Sequence, residues 1–252
     1  LRAILKMWFF LPKSGVYSAG NGPAMRSALL GVYFNDSIEK RREFCAIATE
    51  LTHTDPKALT ASLAVCEVAS LFYKSSELDI ETFFSCLEYC GNDQDWQSIL
   101  TQMRQAYKDQ LSVEEWADLL GCEKGVSGYA YHTVPVAVYS NLVHYGDFEK
   151  ALFSVLDLGG DTDTVGAICG AMAAVASTDD LACYMNDICE WPSSTSKYDR
   201  LADDLGRFKN GEELRGGWKF FAPYILIRNL FFTVIVLTHG FARLIPRKAK
   251  KS

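Results

Sequence analysis

Leu158-Gly159-Gly160-Asp161-Thr162-Asp163-Thr164-Val165-Gly166-Ala167 sets two carboxylates and two hydroxyls within four residues, behind a Gly-Gly pair and ahead of a small-residue apolar run that reaches Ala176. Hard oxygen donors at this density suit a Mg2+-like cation, and the glycines let a ligand come close to the backbone. If a helix begins at Thr164, Asp161 and Asp163 sit in the turn before it, where the positive end of the helix favours acids. Plain capping is the competing reading, in which one Asp or Thr satisfies the first free amides and Gly-Gly makes the turn. Capping accounts for one acid but leaves a second acid and a second threonine over. On residue types alone, both readings stay open.

Helix signals run through the rest of the chain. Asp36 and Glu39 have capping-box spacing ahead of a segment to about Thr52. Asp55-Pro56 reads as an N-cap followed by proline at the first helical position, starting a helix to about Tyr73. Asp79 opens another that ends near Cys90-Gly91, and a further helix covers about Asp93 to Lys108. Ser112 and Glu115 form a second capping box, with Gly121 as the stop. Thr133-Val134-Pro135 starts a helix to about Tyr145, Asp147 caps one through Leu156, and Val165–Ala176 and Thr178–Ile188 complete the set. No stretch alternates with period 2 between hairpin turns. The expectation is an all-α domain with short connections.

Three further stretches carry chemistry-bearing residues. Ser18-Ala19-Gly20-Asn21-Gly22-Pro23-Ala24-Met25-Arg26 places two glycines and an asparagine at the start of a helix, where several backbone amides can face an anion; a plain helix-entry loop is the alternative. His53, between two helices in Thr52-His53-Thr54-Asp55-Pro56, can reach a phosphate or ribose, although a lone histidine in a connection is more often a surface residue. Tyr129 to Pro135, with His132 and Thr133, reads either as an aromatic wall or as core packing. The chain has no P-loop and no dinucleotide-binding fingerprint.

With 252 residues, 49% of them hydrophobic, the chain can bury a substantial core, and its net charge of −6 argues against nucleic acid as a partner. The eight cysteines show no paired metal spacing and mostly fall in apolar helical patterns, so buried free thiols and a reducing, cytoplasmic setting are expected. The apolar start at Leu1–Leu11 has no cleavage site after it, and the first residue is Leu inside a helical pattern, so an incomplete N-terminus is expected. Composition divides the chain into a domain over residues 1–218 and a C-terminal segment over 219–252. That segment holds an apolar stretch, Phe220–Phe241, followed by Arg243, Arg247, Lys248, Lys250 and Lys251. A helix packed on the domain or a partner, a helix peripheral to a membrane surface and a membrane span all remain open; Arg228 and Asn229 weigh against the span.

In their order along the chain, Ser18–Arg26, Thr52-His53, Val134-Pro135-Val136-Ala137 and Leu158–Ala167 resemble the ADP-ribosylglycohydrolase family over residues 1 to 176. The resemblance implies a single compact, orthogonal multi-helix domain, with a pair of Mg2+ (or Mn2+) ions at the base of an ADP-ribose cleft. It implies Asp161, Asp163 and Thr164 as metal ligands, with the two aspartates catalytic. Ser18, Gly20, Asn21 and Gly22 would hold the diphosphate and nearby ribose, and His53 would touch the phosphates. The implied activity is hydrolysis of the N- or O-glycosidic bond joining ADP-ribose to a protein side chain or small molecule, with ADP-ribose or an ADP-ribosylated protein as partner. The oligomeric state is left open. Family members complete the dinuclear site with an acidic residue near a Gly-Asp motif and a Thr-Asp-Asp triplet. Residues 1–60 contain no such triplet, and Thr178-Asp179-Asp180 follows the decisive stretch instead of preceding it and reads as an N-cap. The expectation therefore divides between an active hydrolase whose remaining ligands lie on a longer chain and an ADP-ribose-binding protein with impaired catalysis.

Overall fold

A computed structural model of the chain describes residues 15–178, 180–186, 195–213 and 222–244. Twelve α-helices and one 3-10 turn form among them, with no strand, so the fold is all-α as expected. Two compact units divide the chain, Leu1–Asp179 and Asp180–Ser252. Composition had placed the division at 218/219. The last buried apolar side chain among the described residues is Ala173. The apolar start at Leu1–Leu11, Cys189, and the basic residues Arg247, Lys248, Lys250 and Lys251 lie outside the described residues.

In the first unit, the turn Ala24–Arg26 leads into α1 (Ser27–Tyr33). It is followed by α2 (Ile38–Glu50), α3 (Pro56–Lys74), α4 (Ile80–Glu88), α5 (Gln94–Lys108), α6 (Val113–Leu119), α7 (Ala130–Val143), α8 (Phe148–Leu156) and α9 (Thr162–Ala176). The second unit holds α10 (Ala182–Asn186), α11 (Thr195–Lys209) and α12 (Ala222–Leu244). No described helix is long and apolar enough to cross a membrane.

Local capping accounts for most helix starts. The carboxylates of Asp55, Asp79, Asp93 and Asp147 accept from the amides of Lys57, Thr82, Trp96 and Lys150. Ser112 and Glu115 close a reciprocal box, with Ser112 N–H donating to Glu115 Oε2 at 2.7 Å and Glu115 N–H donating to Ser112 Oγ at 3.1 Å. Two starts differ from the sequence expectation. The cap of α2 is Ser37, not Asp36, because the Ser37 hydroxyl accepts from Lys40 N–H while donating to Glu39. Helix α7 begins at Ala130 and carries Pro135 inside it, where proline had been expected to open the helix. The preceding loop sets that earlier start, since Ala130 N–H donates to Ala19 O at 2.8 Å and Thr133 N–H to Tyr129 O at 3.0 Å.

α3 is the central element, packing against α1, α2, α4, α7 and α9. Its crossing with α1 is close enough to require glycine: a Cβ on Gly31 would lie 2.0 Å from the Cys66 carbonyl oxygen. Glu67, buried on α3, accepts from Arg41 Nη2 at 2.6 Å and from Arg42 Nε at 2.8 Å, which ties α2 to α3 through a paired charge in the interior. Trp96 and Trp116 are fully buried, and each uses its indole N–H, donating to Leu87 O at 2.9 Å and Pro135 O at 3.2 Å. Tyr131 packs at a tilt against Trp96, ring centroids 5.2 Å apart, and donates to Asp93, so of the Tyr129–Pro135 run this ring belongs to the core.

Gly31→Ala forces α1 and α3 apart and is expected to cost about 1–3 kcal/mol by overpacking, read as a lower urea midpoint with an unchanged slope. A midpoint equal to that of the parent chain would contradict the close crossing.

Candidate functional site

Gly159 and Gly160 adopt φ of 72° and 84°, in the left-handed region that favours glycine. Their carbonyl and amide groups interlock with the loop before α7: Val126 N–H donates to Gly159 O at 3.1 Å, and Asp161 N–H donates to Val126 O at 2.8 Å. A Cβ at Gly160 would lie 2.3 Å from Val126 O, and one at Gly125 would lie 2.7 Å from Gly160 N. The two backbones are in direct contact, which fixes where Asp161 stands.

Helix α9 starts at Thr162, two residues before the start considered from sequence. Asp161 is therefore its N-cap, and Asp163 and Thr164 lie in its first turn instead of ahead of it. The Asp161 side chain makes no capping bond to the helix amides. Instead Oδ1 accepts from Thr164 Oγ1 at 3.0 Å and Oδ2 accepts from Asn21 Nδ2 at 2.7 Å. Simple capping thus does not describe this aspartate, whose carboxylate is turned toward the Ser18–Arg26 loop.

Asn21 is buried and spends its amide on two acceptors, Asp161 and Thr133 Oγ1 at 3.0 Å, while Thr133 passes its own proton to Ser127 O at 2.8 Å. Both oxygens of Asp161 accept, so the network calls for the carboxylate form. The Asn21 amide is the main influence holding the Asp161 carboxyl below its usual range; the Thr164 hydroxyl and the adjacent Asp163 carboxyl act in the same sense, against partial burial that pushes it up. Asp163 itself is exposed.

Backbone bonds join the same loops: Asn21 N–H donates to Gly128 O at 3.0 Å, and Gly20 and Tyr129 form an isolated antiparallel bridge. Gly128 also leaves room for the site, since a Cβ there would come within 3.2 Å of Asp161 Oδ2. Residues 18–22, 125–129 and 159–161 therefore meet where the helical turn at Ala24, α7 and α9 all begin.

His53 joins from another connection. Val16 N–H donates to Thr52 O and Thr54 N–H to Val16 O, both at 3.0 Å, which ties the 52–54 connection to the strand-like residue before Ser18. The imidazole lies along the glycine loop: a Cβ on Gly20 would be 2.9 Å from Nε2, and one on Gly22 would be 3.4 Å from Cε1. Arg26 braces this arrangement, donating to Gly22 O at 3.1 Å, Ala48 O at 2.7 Å and Thr52 Oγ1 at 2.6 Å. Thr52 Oγ1 in turn lies 2.9 Å from His53 Nδ1. Burial first, and the nearby Arg26 charge second, push the His53 pKa down, so the ring is neutral at pH 7. Thr52 Oγ1 accepts from Arg26, and its own proton has two acceptors within reach, His53 Nδ1 at 2.9 Å and Thr49 O at 3.5 Å, while Nε2 faces the glycine loop.

The structure brings together Gly20, Asn21, Gly22, His53, Asp161, Asp163 and Thr164. Ser18 lies at the edge of this group, its Oγ 3.6 Å from the Cβ position of Gly20. Thr133, Arg26 and Thr52 support the group although sequence reasoning nominated none of them. All three stood inside the quoted stretches, Thr133 in the Tyr129–Pro135 run read as an aromatic wall or core packing. His132 is turned to Ser127 Oγ at 3.0 Å and packs edge-on to Tyr129. Asp180, not Thr178, makes the capping contact at the following helix, accepting from Ala182 N–H at 2.9 Å. Among the described residues no group of three or more His, Cys, Asp or Glu side chains is clustered as a metal site. The donors at the start of α9 are two carboxylates and one hydroxyl. As hard oxygens they fit one side of a Mg2+ shell, with the remaining positions to be filled by other ligands or water.

Residues 1–179 match the family model described as ADP-ribosylglycohydrolase. The chain is 30% identical over 168 residues to an uncharacterized protein of Archaeoglobus fulgidus, covering 64% of this chain and 50% of that one. It is 28% identical over 188 residues to ADP-ribosylhydrolase ARH3 of Gallus gallus, with coverages of 64% and 50%, and 27% identical over 224 residues to ADP-ribosylhydrolase ARH3 of Homo sapiens, with coverages of 77% and 59%. The chain spans about half the length of the curated relatives it matches. The matched region takes in every residue of the loop cluster described above, from Ser18 to Thr164, and by that match the chain belongs to the ADP-ribosylglycohydrolase family.

Proposed function

We propose that the loop cluster binds ADP-ribose and, with a divalent cation, serves hydrolysis of its glycosidic bond to a protein side chain or small molecule. The observation that carries this reading is the 2.7 Å bond from Asn21 to Asp161, which puts an amide-rich anion loop and a pair of carboxylates in one place. The diphosphate would lie against Gly20–Gly22 and the helix start at Ala24, where backbone amides and the helix dipole favour anions. His53 Nε2 lies on the same side, beside Gly20, and would serve as a donor to the phosphates when protonated there. The ribose would then extend toward Asp161 and Asp163.

Asp161, Asp163 and Thr164 are the residues that would hold Mg2+ or Mn2+. Such a cation supplies templating of the ribose and a lowered pKa for water. In the reaction, water oxygen bonds to the anomeric carbon, the bond from that carbon to nitrogen or oxygen breaks, and the leaving group takes up a proton; positive charge builds on the ribose in between. A carboxylate kept ionised by Asn21 and Thr164 suits a site next to that charge. Asn21 and Thr133 act as positioning residues, orienting Asp161 without touching the bond that breaks.

A second reading has its own support. Two carboxylates form a small donor set, and no larger acidic or histidine cluster occurs among the described residues. This favours ADP-ribose binding without turnover for the segment described here, with hydrolysis in any longer chain that adds ligands.

Titration calorimetry separates the parts. Asp163→Asn is expected to weaken Mg2+ binding about ten-fold or more through lost ligand charge, while leaving ADP-ribose affinity in EDTA unchanged. Asn21→Ala removes a bond to a charged partner worth about 1–3 kcal/mol and is expected to weaken both ligands. No ADP-ribose binding by the parent chain at millimolar ligand would refute the site.

The histidine gives a pH signature. Its depressed pKa leaves it neutral at pH 7, and protonation on lowering the pH adds a positive charge facing the diphosphate, so ADP-ribose affinity is expected to rise between pH 7 and 5.5. His53→Gln should flatten that profile; a profile unchanged by the substitution would take His53 out of the site.

A further inference from the structure

A cavity of about 830 Å3 opens in the first unit where α5, α7 and α8 end and α6 begins. Its volume is that of a pocket for a whole small molecule. Tyr107, Leu111, Val113, Leu142, Val143 and Leu158 give it an apolar wall, and Lys108, Glu114, His144 and Asp157 stand among them. None of these residues takes part in the loop cluster at Asp161.

Three helices finish at this cavity. Tyr107 and Lys108 close α5, Leu142 and Val143 close α7, and Asp157 is the C-cap of α8. A helix C-terminus is the negative end of the dipole, which a basic residue in the last turn ordinarily offsets. Lys108 does this for α5, but α7 and α8 carry no basic residue in their last turns. His144 follows α7, yet burial pushes its pKa down over the opposing effect of the Asp147 carboxylate, so the ring is neutral at pH 7. Lys150 is spent on Asp147 at 2.7 Å. The end of α8 goes further and sets a carboxylate, Asp157, where negative charge is least favoured. Among the described residues no group pairs with that carboxylate, and Glu114 on α6 is likewise unpaired. Local electrostatics broken in this way, at the wall of a cavity, mark a place shaped for something other than stability.

We propose that this cavity binds a small organic cation, an ammonium, amidinium or guanidinium group carried on an apolar body. The charged head lies toward Asp157 and Glu114, where two carboxylates and the two uncompensated helix ends favour it, and the body lies against Leu142, Val143 and Leu158. A planar amidinium or guanidinium also meets a carboxylate with two parallel hydrogen bonds. The same charges oppose an anion, and a bare metal ion would leave the apolar half of the wall unused. This inference is independent of the ADP-ribose reading, because the two sites share no residue.

Titration of the full chain, followed through the methyl NMR signals of leucine and valine, tests it, with benzamidine as the cation and benzoate as an anion of the same shape. Benzamidine is expected to bind about ten-fold or more tighter than benzoate and to shift the methyl signals of Leu142, Val143 and Leu158. Asp157→Asn should weaken benzamidine about ten-fold and at the same time raise the urea midpoint of the ligand-free chain, because an acid is removed from a helix C-terminus. A carboxylate kept for structure would show the reverse, a lower midpoint with benzamidine affinity unchanged. Glu114→Gln, at an exposed position in the first turn of α6, should weaken benzamidine about three-fold and keeps the test readable if the Asp157 variant misfolds. Equal affinity for the two probes, no binding of benzamidine at about 10 mM, or shifts confined to other methyl groups would each overturn the pocket. ADP-ribose affinity of Asp157→Asn should match that of the parent chain; a parallel fall would assign Asp157 to the loop cluster and overturn a separate site.

Discussion

The hydrogen bond from Asn21 to Asp161 joins residues 140 positions apart, and the arrangement of the site depends on it. Each partner in the network has its direction set. Asn21 has two amide protons and two acceptors to receive them, Thr133 passes its proton on to Ser127 O, and Asp161 accepts at both oxygens. A network with fixed directions holds one carboxylate in one orientation and one ionisation state, and bonds to a charged acceptor are among the stronger ones available to a protein. The glycines serve the same end. Gly159 and Gly160 bring the start of α9 against the backbone of Gly125 and Val126 at distances a side chain would not permit, and Asp161 is thereby carried to Asn21.

Much of the fold was legible because its signals are local. A cap and the amide it satisfies lie within a few residues, so Asp55, Asp79, Asp93, Asp147 and the Ser112–Glu115 pair could be read from spacing alone. The choice of Ser37 over Asp36 could not, because adjacent capping residues compete and the chain's path decides between them. The same holds for α7, where proline suggested a start that the loop contacts of Ala130 place earlier. At the site, residue types singled out Asn21, Asp161, Asp163 and Thr164 as candidates, and His53 became one only through the family resemblance. Spacing could not reveal that Asp161 declines the capping role, nor that Thr133 supports Asn21 from 112 residues away. Both facts follow from contacts between distant segments, which leave no periodic trace in a single sequence.

The Arg26–Thr52–His53 chain braces the glycine loop from the connection before α3. The guanidinium spends its donors on Gly22 O, Ala48 O and the Thr52 hydroxyl, so its charge braces the loop while its hydrogen bonds are used internally. Thr52, which accepts from arginine, lies within hydrogen-bond reach of both Thr49 O and His53 Nδ1. An Arg-to-Lys exchange at position 26 would remove the fork that reaches three oxygens at once.

The loops that meet at Asp161 come from the early, middle and late parts of the first unit. A ligand lodged among them touches segments that separate when the chain unfolds, and therefore behaves as a reversible crosslink. Occupancy of such a place raises the free energy of unfolding by RT ln(1 + [L]/Kd), about 2.7 kcal/mol at a hundred-fold excess over Kd. For a domain of ordinary marginal stability this is a sizeable fraction of the whole. Cellular ligand concentration would then govern not only how often the site is filled but how long the folded chain survives proteolysis.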